Sequence, residues 1–316
     1  MSEKVCAIIV TYNRKELVSE CLSSVLNQTF QVSDVILFDN ASTDGTHDYL
    51  EELGLISDSR IHYIYIKENI GAAGAYSEAF ILAKTIECDW VWAMDDDTIP
   101  NVDCLQRLIE AKDILSVNEK ISFLASTIFG ENGEFMNLPL VDIRPSSNGY
   151  ASWYRYLSEG LIKIETATFI SLLIKKDAIN TCGIPIREFV MWGFDTEYTM
   201  RFTHHYGDAY FVGNSVAIHK RKGARALNIE KETSPERIKL YRTLYQSNSV
   251  IFNIYRYKSS RFRLVLDVLK NWVKSLKYLF KNNGIRIFRE YFLGGVLALK
   301  YFSKFEKLIN NQLAKG

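Results

Sequence analysis

The sequence predicts an α/β fold, with a mostly parallel sheet, helices on both of its faces and a C-terminal helical region. Two observations carry this expectation. Over the first 130 residues, short β-branched apolar runs alternate with segments of helical apolar spacing, as in successive strand–helix–strand units. From about Pro235 onward the pattern is helical throughout. The 316 residues suggest one large domain or a domain with an appendage, and the 47% hydrophobic and 24% charged fractions exclude a disordered or low-complexity chain.

Each element has its own local reason. Val5–Val10 is a continuous apolar run, as expected of a strand buried on both faces. Leu17, Val18, Cys21, Leu22, Val25 and Leu26 then recur at helical spacing. Val35–Phe38 reads as a strand and Asp44–Leu53 as a helix, with Ser42 or Thr43 as its N-cap. Ile61–Ile66 alternates like a strand, Ala73–Ile86 like a helix, Trp90–Met94 like a strand and Val102–Leu115 like a helix. Past residue 120 the pattern loosens. Ile121–Phe129, Ile162–Ile174 and Phe211–Ile218 read as strands, with Lys176–Cys182 and Asp195–His205 as helices. In the tail, Gly284 and the Gly294-Gly295 pair are expected breaks. The division implied is 1–234 for the sheet-bearing catalytic part and 235–316 for a basic helical part.

Charge divides along the same line. The formal net charge is +1, so a uniformly basic nucleic-acid binder is not expected. Yet residues 236–316 carry 17 Lys/Arg against 4 Asp/Glu, which leaves an acidic body with a basic tail. The five cysteines have no Cys-x-x-Cys spacing, which favours a reducing cytosol over a disulfide framework or zinc site. No apolar run approaches the roughly 18 residues of a spanning helix.

In an open α/β sheet, ligands bind at the carboxyl ends of the strands. Those ends read Thr11-Tyr12-Asn13-Arg14, Asp39-Asn40-Ala41-Ser42, Asn69-Ile70-Gly71-Ala72-Ala73-Gly74 and Asp95-Asp96-Asp97. Three adjacent carboxylates are electrostatically costly unless a cation neutralises them, and their oxygens suit Mg²⁺ or Mn²⁺. The alternative is a solvated acidic turn before the next helix. Gly71-x-x-Gly74 either brings backbone close to an anion or makes a tight turn, and Asp39 either holds a ribose or forms an Asx turn. Further on, Trp192-Gly193-Phe194-Asp195-Thr196-Glu197 sets two carboxylates beside large aromatics at a helix start. They could act as a base against a sugar, or simply as helix N-terminal charge. His219 is followed by Lys220, Arg221, Lys222 and Arg225, cations that could close over a diphosphate.

Together, in this order, these motifs resemble glycosyltransferase family 2, enzymes with the GT-A (Rossmann-like) fold, over about 210 residues. The triple Asp and the Trp-x-x-Asp-x-Glu-Tyr segment are most similar to the bacterial galactofuranosyl- and rhamnosyltransferase branch. The resemblance implies that Thr11, Asn13, Arg14, Asp39, Asn69 and Gly71 line the nucleotide pocket and that Asp96 faces the donor's ribose or sugar. It implies Asp95, Asp97 and His219 as ligands of Mn²⁺ or Mg²⁺, and Asp195 as the catalytic base. Trp192 and Glu197 would touch the acceptor or sugar. One departure is Phe194, where related sequences often carry a second Asp.

The activity implied is inverting, metal-dependent transfer from a nucleotide-diphosphate sugar, UDP-galactofuranose ahead of dTDP-rhamnose. The acceptor implied is a lipid-linked oligosaccharide or growing cell-surface polysaccharide. The rivals are a nucleotidyltransferase or dehydrogenase on a similar sheet, disfavoured by the lack of a Gly-x-Gly-x-x-Gly turn and a Walker loop, and a non-catalytic nucleotide-sugar-binding scaffold in a membrane assembly. In the tail, Phe262, Val265, Leu266, Leu269, Trp272, Val273, Leu276, Leu279 and Phe280 fall on one helical face among Lys and Arg. Such a face suits peripheral binding to the inner leaflet of the cytoplasmic membrane by a cytoplasmic protein. Packing on the catalytic part or in a homo-oligomer is its other use.

Overall fold

The structure, a computed structural model, describes residues 3–115, 117, 119–189, 193–221, 229 and 232–314. The sheet grows from β1 (Val5–Thr11), whose side chains alternate between two covered faces. Val5, Ala7 and Ile9 join one apolar cluster and Cys6 and Ile8 the other, which is why the run is apolar at every position. β2 (Asp34–Asp39) and β4 (Trp90–Asp95) flank β1 in parallel, and β3 (Ile61–Tyr65) adds outside β2. Beyond β4 lie β10 (Leu172–Lys175), β6 (Ile121–Gly130) and β11 (Asp208–His219), giving the order β3-β2-β1-β4-β10-β6-β11. Only β10 runs against the others in this central series. β9 (Leu161–Thr166) and the short β8 (Leu140–Val141) extend the far edge.

Helices α1 (Lys15–Leu26) and α4 (Cys104–Leu115) cover one face. The other is covered by α3 (Gly71–Thr85), α5 (Lys176–Cys182), α6 (Phe194–His205) and the tail helices. α2 (Thr46–Glu52) starts two residues later than the sequence suggests, and its N-cap is Gly45 (φ 78°) rather than Ser42 or Thr43. The expected strand 162–174 is two strands. β9 pairs with β11, whereas β10 inserts between β4 and β6. Between them Ser171 takes a positive φ of 53°, which an uninterrupted strand cannot contain.

The tail comprises α7 (Pro235–Arg256), α8 (Arg261–Ser275) and α9 (Gly284–Leu313). α7 begins where Ser234 accepts a hydrogen bond from the Arg237 amide and Pro235 occupies the first turn. Gly284 does start a helix, but the pair Gly294-Gly295 breaks nothing, because α9 runs straight through it. These glycines instead let helices touch. A Cβ on Gly294 would sit 2.7 Å from the Tyr245 ring, and one on Gly295 would sit 2.5 Å from the Trp272 indole nitrogen. Val250, Ile251, Tyr255, Leu264, Phe302 and Phe305 belong to the same cluster as β1, α3 and α6, so the tail shares the body's core.

The apolar face expected on α8 stays largely exposed, and a different side of the helix packs inward. Leu264 and Val268 turn inward, and Trp272 stacks on Phe292 at 4.6 Å. Phe262, Val265, Leu266, Leu269 and Val273 remain exposed, and so does Phe280, at 95%, in the 3₁₀ turn that follows.

Candidate active site

Register puts the polar strand ends together. Thr11 pairs with Asp39, and Val10 with Asp95, so three strands end on one edge. After Asp95 the chain turns through Asp96 and Asp97 into β5 (Thr98–Pro100), which pairs antiparallel with the end of β11. That pairing sets Thr98 opposite His219 and so carries the histidine to the aspartates.

The acidic turn is not solvated. Asp96 and Asp97 are 4% and 3% exposed. Asp96 accepts hydrogen bonds from Thr11 Oγ1 (2.8 Å) and Arg14 Nη1 (2.9 Å), and the same Arg14 nitrogen reaches Asp97 at 2.9 Å. Asp95 accepts from the Tyr76 hydroxyl at 2.6 Å. Burial, with the Asp97 charge beside it, pushes Asp95 from 3.8 up to about 7. Burial likewise raises Asp96 to about 6, although Arg14 opposes it. Asp97 is also pushed up by burial, but His219 and Arg14 outweigh this and hold it below its ordinary value.

Among the described residues, ligand atoms of Asp95, Asp97 and His219 lie within 4.8 Å of one another. His219 Nδ1 lies 2.9 Å from Asn137 Oδ1. A neutral ring donating there would turn the Nε2 lone pair toward Asp97 Oδ1, 3.1 Å away. That carboxylate oxygen is buried and makes no well-aligned hydrogen bond. In that state two acceptors would face each other, a mismatch that a proton on the nitrogen or a metal ion between them relieves. Two carboxylates and an imidazole suit Mn²⁺ or Mg²⁺. A second acidic group, His47, Asp48 and Glu51, is wholly exposed.

The neighbouring loops are locked by side chains. Asp39, 1% exposed, accepts from the Ser42 amide (2.7 Å) and the Tyr63 hydroxyl (2.6 Å), so it shapes its turn from within. Asn13 takes a positive φ of 53° and accepts from the Thr43 amide at 2.7 Å. Asn69 accepts from Asn40 Nδ2 (3.1 Å) and the Gly71 amide (2.8 Å), clamping the start of α3. Lys220 donates its amide to Asp97 O, while its ammonium pairs with Glu20. Arg221 is exposed. Trp192, Lys222 and Arg225 lie outside the described residues.

Asp195 and Glu197, two residues apart, have different fates. Asp195 heads α6 and accepts from the Thr196 amide at 2.7 Å, and burial raises its carboxyl. Glu197 is fully buried against Arg201 Nε (2.9 Å) and the Tyr255 hydroxyl (2.6 Å), so it is not on an acceptor-facing surface as the sequence suggested. Phe194 explains the missing second Asp locally. Its ring packs on Tyr76 (5.6 Å) and Phe169 (5.4 Å), joining the start of α6 to the residue that binds Asp95.

Sequence reasoning missed Tyr76, Asn40, Tyr63 and Asn137. Asn40 stood inside a quoted motif, but nothing local singled out the others.

Comparison with known proteins now adds the family. Residues 6–116 match the model "Glycosyl transferase family 2". This segment is a glycosyltransferase family 2 domain. Its relatives include the putative teichuronic acid biosynthesis glycosyltransferase TuaG of Bacillus subtilis, 35% identical over 34% of this chain and 40% of that protein. They also include the galactofuranosyltransferase GlfT1 of Mycolicibacterium smegmatis, 29% identical over 31% of this chain and 32% of that one. The chain thus spans less than half the length of either relative. The structure of GalNAc-T7 with UDP, GalNAc and Mn²⁺ superposes over 98% of this chain and 59% of that one, with TM-score 0.59 and 14% identity. The family match thus lies at the front of a chain whose whole fold is of the GT-A kind.

The raised Asp95 carboxyl has a pH consequence. Its native state keeps a proton that the unfolded chain gives up, so its contribution is present below about pH 4 and is lost as pH rises to about 7. In excess chelator, Asp95→Asn should therefore gain stability relative to the parent across that window and hold the gain above it. Urea titrations at several pH values measure the difference; a pH-independent difference counts against the assignment.

Proposed function

We propose that the protein transfers a sugar from a nucleoside-diphosphate donor to an acceptor hydroxyl, with inversion and with a divalent metal. The observation that carries this is the meeting of Asp95, Asp97 and His219 at the sheet edge, with Asp97 Oδ1 buried and lacking a well-aligned hydrogen bond. A divalent cation bound there would offset the charge of the leaving diphosphate. Thr11, Asn13, Arg14, Asp39, Asn69 and Gly71 shape the nucleotide side, with Asp96 toward the ribose or sugar. By sequence, Lys220, Arg221, Lys222 and Arg225 are the candidate cations for the diphosphate; of these, Lys220 pairs its ammonium with Glu20, Arg221 is exposed, and Lys222 and Arg225 lie outside the described residues.

Asp195 serves as base, helped by a burial that raises its proton affinity. As the acceptor oxygen bonds to the anomeric carbon, its proton passes to Asp195 and the sugar–diphosphate bond breaks, its electron pair leaving with the diphosphate. Glu197 is committed to Arg201 and Tyr255. This leaves no second carboxylate on this turn to act as nucleophile, which supports a single inverting displacement. UDP-galactofuranose is the favoured donor, in line with the name of GlfT1, and dTDP-rhamnose the next. The acceptor proposed is a lipid-linked glycan on the way to a surface polysaccharide.

No helix among the described residues is long and apolar enough to cross a membrane. The exposed Phe262, Leu266, Leu269 and Phe280, set among Arg261, Lys270, Lys274 and Lys281, support peripheral binding to an anionic leaflet.

Asp97→Ala should abolish both transfer and the Mn²⁺-dependent rise in melting temperature given by UDP. Full activity of the parent in excess chelator would remove the metal. Asp195→Asn should lower turnover about 10²- to 10⁴-fold while donor affinity barely changes; collapse of donor binding would make Asp195 a binding residue instead. Deleting the tail would open the shared core, so substitution is the cleaner membrane test. Phe262→Glu with Phe280→Glu should release the protein from vesicles rich in phosphatidylglycerol, and added salt should weaken the parent's binding. Binding unaffected by both changes would overturn the membrane role.

A further inference from the structure

Between α7, α8 and α9 lies a cavity of about 390 Å³. Tyr241, Tyr245 and Tyr291 form one wall, their rings 5.5 Å apart in successive pairs. Asn248 from α7 and Asp267 and Asn271 from α8 bring amide and carboxylate groups to the same space. All of these residues are half-buried, so the cavity opens to solvent.

The lining narrows the ligand class. A lipid tail needs an apolar lining, which the amides of Asn248, Asn253 and Asn271 and the Asp267 carboxylate deny it. A phosphate or other anion needs free cations. The cation here, Arg256, is paired with Glu165 and lies over the Phe252 ring at 4.6 Å, while Asp267 adds negative charge. A sugar matches both halves. Its C–H face packs on tyrosine rings, and its hydroxyls, each donor and acceptor, match amides that also do both. The volume falls in the range of small-ligand sites, roughly 300–1,000 Å³, and leaves room for a sugar unit.

Position links the cavity to the sheet edge. On α7, Ser247 and Ile251 pack on Gly193, whose Cβ position lies 2.7 Å from Ser247, and Gly193 precedes Phe194 and Asp195. Asn248, next along α7, lines the cavity. The same turn of α7 therefore both packs on Gly193 and lines the cavity. α8 turns Asp267 and Asn271 toward the cavity and Phe262, Leu266 and Leu269 toward solvent.

We propose that this cavity is a second glycan-binding subsite, which holds a sugar of the acceptor chain away from the reacting hydroxyl. It deepens the transferase reading and rests on it for the word acceptor. The binding itself can be tested without donor or turnover.

Saturation-transfer NMR on the full chain, with methyl glycosides of galactofuranose, rhamnose, glucose and N-acetylglucosamine as probes, should show at least one binding. The signal should persist in Asp97→Ala and under saturating UDP with Mn²⁺. It should fall about tenfold in Asn248→Ala with Asn271→Ala, as the loss of two hydrogen bonds implies. Should that pair fail to fold by circular dichroism, Asn248→Leu and Asn271→Leu singly keep the packing and remove the same bonds. Absence of binding by all four probes would overturn the subsite, as would a signal that survives the asparagine changes or one that UDP abolishes. Loss of transfer alone, with glycoside binding intact, would count against the transferase reading and leave the subsite standing.

Discussion

Three adjacent carboxylates at the end of a buried strand set the terms for everything around them. Removing such charges from water is costly unless each finds a partner. Arg14 bridges Asp96 and Asp97, Thr11 also donates to Asp96, Tyr76 donates to Asp95, and His219 is brought in by the short antiparallel return of β5. Even so, the balance stays incomplete. Asp95 and Asp96 remain pushed up toward neutrality, and Asp97 Oδ1 faces an imidazole nitrogen with no aligned donor between them. A site so arranged is poised for a further positive charge, which is what metal binding requires.

The second buried charge pair has the opposite character. Glu197 and Arg201 are fully enclosed, and Arg201 also donates to the carbonyls of Cys182 and Ile184, so few of its donors lack a partner. Removing one member of such a pair typically costs about 3–5 kcal/mol, because the other is stranded. Tyr255 ties the pair to α7. The tail is therefore coupled by hydrogen bond and by packing to the helix that begins at Asp195.

Much of this was legible in the sequence, and the failures have physical causes. The strand ends and the triple Asp stood out because β-branched runs and their polar termini are local features. Tyr76 was hidden inside a helical apolar pattern, where a hydroxyl reaching 2.6 Å to Asp95 looks like any core aromatic. Asn137 and β5 were hidden because a three-residue strand has no periodicity to detect. Residues 162–174 looked continuous since apolar β-branched residues lie on both sides of Ser171. That residue's hydroxyl instead joins Trp92 and Ser126 in a buried network. Gly294-Gly295 misled because helix propensity counts the cost of glycine without seeing the neighbour that requires it.

The glycine pair also bears on how the tail can work. Gly294 admits the Tyr245 ring and Gly295 the Trp272 indole, so α9 lies against both α7 and α8 at close range. α8 is thereby held with Leu264 and Val268 inward, and its remaining apolar residues have nowhere to turn but outward. An amphipathic helix free of the body could bury its whole stripe in a lipid surface. This one packs on α9 and the shared core through Leu264, Val268 and Trp272, of which Trp272 alone belongs to the stripe read from the sequence. What remains exposed is a shallow apolar face rimmed by Lys and Arg and fixed in orientation by the packing of α9 on α7 and α8.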